Sequence, residues 1–136
     1  SEIKKQLKSA VTFKTVISQI SEVKEGESVG YNRKFKATAN TNIATIPVGY
    51  ADGIPRLVGN MAGFVGIRKN LFPIVGNVCM DMMMIDLGDF IAKEGEEVII
   101  FNSNPTLEDF AGYCKTIPYE VLTSISRRVK RIYIKD

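Results

Sequence analysis

Histidine and tryptophan are absent from this 136-residue chain, and cysteine occurs only twice. Without histidine, no imidazole of this chain can serve as general base, proton shuttle or metal ligand. Cys79 and Cys114 cannot build a zinc site alone. Far apart in sequence, they fit reduced thiols better than a disulfide framework, with a single disulfide left open. Long apolar runs are missing too. None reaches the roughly 18 residues needed to span a membrane, and the opening SEIKKQLKSA has charge but no signal-peptide core. Surplus charge is small: 18 Lys and Arg against 15 Asp and Glu give +3, too weak to imply nucleic acid. A phosphate loop of the form GxxxxGK[ST] does not occur, and the spaced glycines Gly59 and Gly63 read as a structural turn.

What is present suits one globular domain. Hydrophobic residues make up 45% and charged residues 24%, ordinary values for a chain that builds its core without staples. Residues 1–9 read as a polar lead-in, and the domain proper as 10–136. In 10–24, Val11, Phe13, Thr15 and Ile17 share one strand face while Val16 and Ile20 fall on the other. That phase change predicts a bulge or burial on both sides. Further strands are predicted within 35–51 (ending near Val48), at 63–67 and 71–78 joined by Arg68-Lys69-Asn70, at 82–87, from Glu97 to Phe101, and at 128–134. Lys-Glu-Gly-Glu occurs at 24–27 and again at 93–96, and reads as one turn solution used twice. Leu107, Phe110, Ala111 and Cys114 form one helix face behind a Thr106–Asp109 capping box. Pro118 opens a second helix with Val121, Leu122 and Ile125 on one face. About seven strands with Gly/Pro turns and two short helices predict a mainly β, barrel-like or sandwich fold.

Few residues are left to carry chemistry. Nucleophilic triads lack their usual base. Asp81 and Asp86 flank a strand on opposite faces, a poor arrangement for a glycosidase pair. Arg127-Arg128-Val129-Lys130-Arg131 reads as a solvated strand face, with phosphate contact as the alternative. Met80, Met82, Met83 and Met84 read as core filling, or else as an interface or substrate-lining strand. Tyr31, Tyr50, Tyr113, Tyr119 and Tyr133 remain. A phenol, with a pKa of about 10, acts as a base near neutrality only when lowered by roughly 2–3 units, and Arg33 and Lys34 lie close to Tyr31 in sequence.

Four segments carry a resemblance: Glu27-Ser28-Val29-Gly30-Tyr31; Pro47-Val48-Gly49-Tyr50-Ala51-Asp52-Gly53 with Arg56; Pro73-Ile74-Val75-Gly76-Asn77-Val78-Cys79-Met80-Asp81; and Thr116-Ile117-Pro118-Tyr119-Glu120. In this order and spacing, they resemble the C-terminal β domain of the pyridoxal-phosphate-dependent alanine racemase family, over about residues 8–134. The resemblance implies an N-terminal barrel bearing the cofactor lysine, expected to be absent from this chain, and a head-to-tail homodimer. It implies interconversion of L- and D-alanine in the bacterial cytoplasm, supplying D-alanine for peptidoglycan, with no metal, nucleic acid or membrane partner. By the same resemblance Tyr31 exchanges the α-proton on one face of the substrate, and the barrel lysine works on the other. Met80 helps hold the substrate carboxylate through its main-chain N–H. Tyr50 narrows the entryway, and Arg56 and Ile117 form a more outward layer. Tyr119 reaches the cofactor phosphate of its own chain, whereas Tyr31 and Met80 face the partner's site. The chain departs from the family at Asn32, where glycine is common, at Asn77, where arginine is common, and at Lys130, where proline is common. Two alternatives stand beside this expectation: a racemase domain for serine or another amino acid, and a non-catalytic β-barrel module that binds anionic polymer through Arg127–Arg131.

Overall fold

The computed structural model describes residues 11–29 and 35–132. Its strands are β1 (Phe13–Val16), β2 (Gln19–Val23), β3 (Ser28–Val29), β4 (Phe35–Lys36), β5 (Thr41–Ile46), β6 (Phe64–Ile67), β7 (Asn70–Val75), β8 (Met83–Gly88) and β9 (Glu97–Phe101). Two helices follow, α1 (Leu107–Tyr113) and α2 (Pro118–Ser124). Seven strands form one antiparallel sheet in the order β1-β9-β6-β7-β8-β5-β2, and β3 pairs with β4 in a separate ribbon. The mainly β expectation is met, with two short helices as read from the sequence.

The edge strands β1 and β2 lie at opposite ends of that order, yet only Ile17 and Ser18 separate them. The Ile17 N–H donates to the Glu96 carbonyl at 3.0 Å, and the next amide, Ser18, donates to the Thr45 carbonyl at 2.9 Å. Consecutive amides thus bond towards the strand next to each edge, β9 on one side and β5 on the other, so the sheet curls until one segment serves both ends. Curling of this kind hides edges that would otherwise recruit other strands. The phase change in 10–24 is therefore a change of partner at 17–18, and the register shift lies earlier, between Phe13 and Lys14.

Local signals hold where the chemistry is local. In both Lys-Glu-Gly-Glu turns the glycine has a positive φ, 88° at Gly26 and 87° at Gly95. In both, the last glutamate's amide donates to the lysine carbonyl, Glu27 to Lys24 at 2.9 Å and Glu96 to Lys93 at 3.0 Å. The same glutamate's carboxylate accepts the lysine N–H, at 2.8 Å in the first turn and 3.1 Å in the second. Gly59 and Gly63 sit in a tight turn, as read, with the Gly63 N–H donating to the Val58 carbonyl at 2.9 Å. One expectation fails: residues 126–132 form no strand, and 133–134 lie outside the described residues. Side-chain contacts of the arginines hold this segment, and alternation alone does not reveal them.

The core fills the curl. Met83, Ile85 and Leu87 alternate inward along β8, and Phe101 and Phe110 close the end under α1. Both cysteines are free. Burial pushes the Cys114 thiol from 9.0 up to about 11. The unfolded chain releases this proton near its ordinary value and the folded chain only later. The folded state therefore keeps its full advantage below about pH 9 and loses it progressively towards pH 11. We expect this thiol to lower stability by about 2 kcal/mol across that window. Urea midpoints on either side of it should converge in Cys114→Ala relative to the parent. Tyr113, raised by burial and then by Asp109, acts in the same direction in both proteins.

Candidate functional site

Beyond β5 the chain passes buried Val48 and enters a 3-10 turn, Tyr50–Asp52. The Tyr50 N–H donates to the Cys79 carbonyl at 2.9 Å and the Ala51 N–H to the Met80 carbonyl at 3.0 Å. This approach requires glycine at 49, because a Cβ there would lie 2.1 Å from the Cys79 carbonyl oxygen. Asp52, the one charged side chain buried among the described residues, closes the turn by accepting the Gly49 N–H on Oδ2 at 2.9 Å. Gly53 then takes a φ of 109° beside the Ser124 carbonyl, so the end of α2 abuts this turn. A second 3-10 turn, Arg56–Val58, sets the Arg56 guanidinium 4.5 Å from the Tyr50 ring centroid. That distance suits a cation–π contact.

The third segment divides the methionines. Met83 is in the core and Met84 is partly buried, whereas Met80 and Met82 are exposed. Core filling thus holds for Met83 but not for Met80. The Met80 main-chain N–H has no hydrogen-bond partner among the described residues. In the fourth segment, Ile117 precedes α2 and Pro118 opens it. Ile117 is 62% and Tyr119 69% exposed, and the Tyr119 hydroxyl has no hydrogen bond among the described residues. A cavity of about 220 Å³ lined by Gly53, Pro55, Thr116 and Glu120 links this helix start to the Tyr50–Arg56 loop.

The fold therefore joins three of the four segments, bringing Tyr50, Arg56 and Met80 together and placing the α2 start beside their loop. Tyr31 lies outside the described residues; β3 and β4 end on either side of 30–34. Sequence reasoning missed a clamp in which Arg128 lies 3.0 Å from Asp52 and 2.7 Å from Asp81. The basic run was its only signal, read there as a solvated face. Arg131 donates to the Ile125 carbonyl at 3.0 Å, so two of the run's cations are turned onto the domain itself.

No group of three or more metal-ligating side chains occurs among the described residues. A phosphate-bearing aldehyde cofactor would find an exposed phenol here, at Tyr119. Every described lysine is exposed, and none stands among the site residues. The surface thus fits an outer contact to such a cofactor rather than its covalent anchor.

The alanine racemase C-terminal domain family model matches residues 10–133. Alanine racemase 2 of Caldanaerobacter subterraneus is 46% identical over 133 residues, covering 94% of this chain and 34% of the relative. Alanine racemase of Helicobacter pylori is 39% identical over 132 residues, covering 94% of this chain and 35% of the relative. A crystal structure of alanine racemase from Bartonella henselae with covalently bound pyridoxal phosphate superposes with a TM-score of 0.85 at 36% identity, covering 90% of this chain and 34% of that one. The biosynthetic alanine racemase from Pseudomonas aeruginosa gives 0.87 at 32% identity, with 99% and 38% covered. The chain spans about a third of the length of these relatives. On the family match and these identities, the chain belongs to the alanine racemase C-terminal domain family.

Proposed function

We propose that this chain is the C-terminal part of a pyridoxal-phosphate-dependent alanine racemase and supplies one side of its active site. The observation that carries the reading is the exposed surface on which main-chain hydrogen bonds join the Tyr50 and Met80 loops, the Arg56 guanidinium stacks on the Tyr50 ring, and the Met80 N–H has no partner among the described residues. Interior packing does not account for an aromatic ring, a guanidinium and a donor unpaired among the described residues gathered in this way.

Racemisation removes a proton from one face of Cα and returns one to the opposite face, so it needs two groups on two sides. Tyr31 is assigned to one side, and a lysine of the rest of the protein to the other. Pyridoxal phosphate, when bound, draws off the electron pair left at Cα. Met80 donates its main-chain N–H to the substrate carboxylate, fixing Cα between the two proton carriers. Tyr50 and Arg56 narrow the approach, Ile117 adds an apolar wall, and Tyr119 donates its hydroxyl to the cofactor phosphate. Tyr31 and Met80 serve the partner's site in a head-to-tail homodimer, and Tyr119 serves its own. The product, D-alanine, goes to peptidoglycan synthesis in the bacterial cytoplasm. No helix among the described residues is long and apolar enough to cross a membrane.

The 136-residue chain by itself, given pyridoxal phosphate and L-alanine, is expected to form no more D-alanine than the cofactor alone, as read by chiral chromatography. The full-length protein is expected to racemise fully. Turnover by the chain alone would contradict the assignment of the second proton carrier to the rest of the protein.

A further inference from the structure

Arg128 follows α2 and lies between two loops that come from different strands. Its Nε is 3.0 Å from Asp52 Oδ1 and its Nη2 is 2.7 Å from Asp81 Oδ1. Asp52 closes the turn that carries Tyr50: its other oxygen accepts the Gly49 N–H, and its carbonyl accepts the Ser126 N–H at 3.0 Å. Asp81 directly follows Met80. On the upstream side, main-chain hydrogen bonds from Tyr50 and Ala51 already join the loops through the Cys79 and Met80 carbonyls. Those bonds leave the Met80 N–H without a partner among the described residues, and beyond Met80 the loop is closed only on itself, the Cys79 N–H donating to the Met82 carbonyl at 2.9 Å. One guanidinium fork ties that far side, because its Nε and Nη2 donors each take a carboxylate in a fixed plane.

We propose that Arg128 is a positioning residue that locks the Met80 loop to the Tyr50 turn and so aims the Met80 N–H at the substrate carboxylate. The proposal rests on the reading of Tyr50 and Met80 as substrate-facing. Arg128 touches no reacting atom and acts only through Asp52 and Asp81. Its effect therefore falls on substrate binding more than on turnover. A lysine in its place has one compact ammonium and cannot hold both carboxylates in the same geometry.

The test uses the full-length enzyme with Asp81→Asn, Arg128→Met, their combination, Arg128→Lys and Tyr50→Ala. Asp81 is an exposed arm of the clamp, so Asp81→Asn should shift the melting temperature by no more than about 2 °C. Asp81→Asn and Arg128→Met should each raise KM for alanine about tenfold with kcat within about threefold, and the double variant should be no worse than either. Arg128→Lys should fail to restore KM. A raised KM in Tyr50→Ala with an unchanged KM in Asp81→Asn would overturn the positioning role alone, as would additive effects in the double variant. An unchanged KM in both Tyr50→Ala and Asp81→Asn would overturn the substrate-facing reading as well. Asp81→Asn keeps the test decisive even if Arg128→Met does not fold.

Discussion

Gly49→Ala is expected to cost about 3 kcal/mol or more, enough to lower the melting temperature of the domain by about 10 °C. The reason is steric and not conformational. Gly49 has an extended backbone, with φ −149° and ψ −160°, which any residue can adopt. A methyl group there would sit 2.1 Å from the Cys79 carbonyl oxygen and 2.5 Å from that of Met80. Both are main-chain atoms, so no rotamer change relieves the clash. The loops must separate, and the hydrogen bonds from Tyr50 and Ala51 must stretch with them. Gly112→Ala is the contrasting change. Gly112 lies near the end of α1 with open space around its Cα, and alanine there should raise stability by about 0.5–1 kcal/mol. Thermal melts of the two variants compare the effects directly. A Gly49→Ala protein that melts with the parent would mean that the Tyr50 and Met80 loops do not touch.

What the sequence discloses depends on how far its signals reach along the chain. The capping box at Thr106 and Asp109 is a matter of three residues, and both reciprocal bonds form at 3.0 Å. Pro118 occupies the first turn of α2 for an equally local reason, having no amide to satisfy there. The repeated Lys-Glu-Gly-Glu turn is likewise self-contained. The switch at Ile17–Ser18 is different, because its cause lies at Glu96, just before β9, and at Thr45 in β5, near opposite ends of the strand order. Arg128 is invisible for the same reason. Its partners are brought near by folding, and nothing in a basic run distinguishes a clamp from a solvated face. The exposure of Met80 beside a fully buried Met83 also escapes a reading of composition, since it depends on where β8 begins. The family resemblance named Tyr50, Arg56 and Met80, which the fold gathers in one place, and it named Tyr31, which lies outside the described residues.

Tyr31→Phe in the full-length enzyme should leave binding nearly intact and reduce racemisation by about 100-fold or more, the contribution usual for a positioned acid–base group. Phenylalanine keeps the ring and removes only the hydroxyl proposed to carry the proton. Because L- and D-alanine are equal in free energy, kcat/KM must fall equally in the two directions. Racemisation rates therefore cannot reveal which face has lost its proton carrier. Exchange at Cα can, since in the proposed two-sided arrangement each enantiomer presents its hydrogen to a different group.

The direct test is deuterium incorporation at Cα in heavy water, followed by proton NMR from L-alanine and from D-alanine separately, in the parent enzyme and in Tyr31→Phe. One enantiomer should continue to exchange without inverting while the other nearly stops. Equal slowing of exchange from both enantiomers, or no slowing at all, would contradict a tyrosine of this domain as one of the two proton carriers.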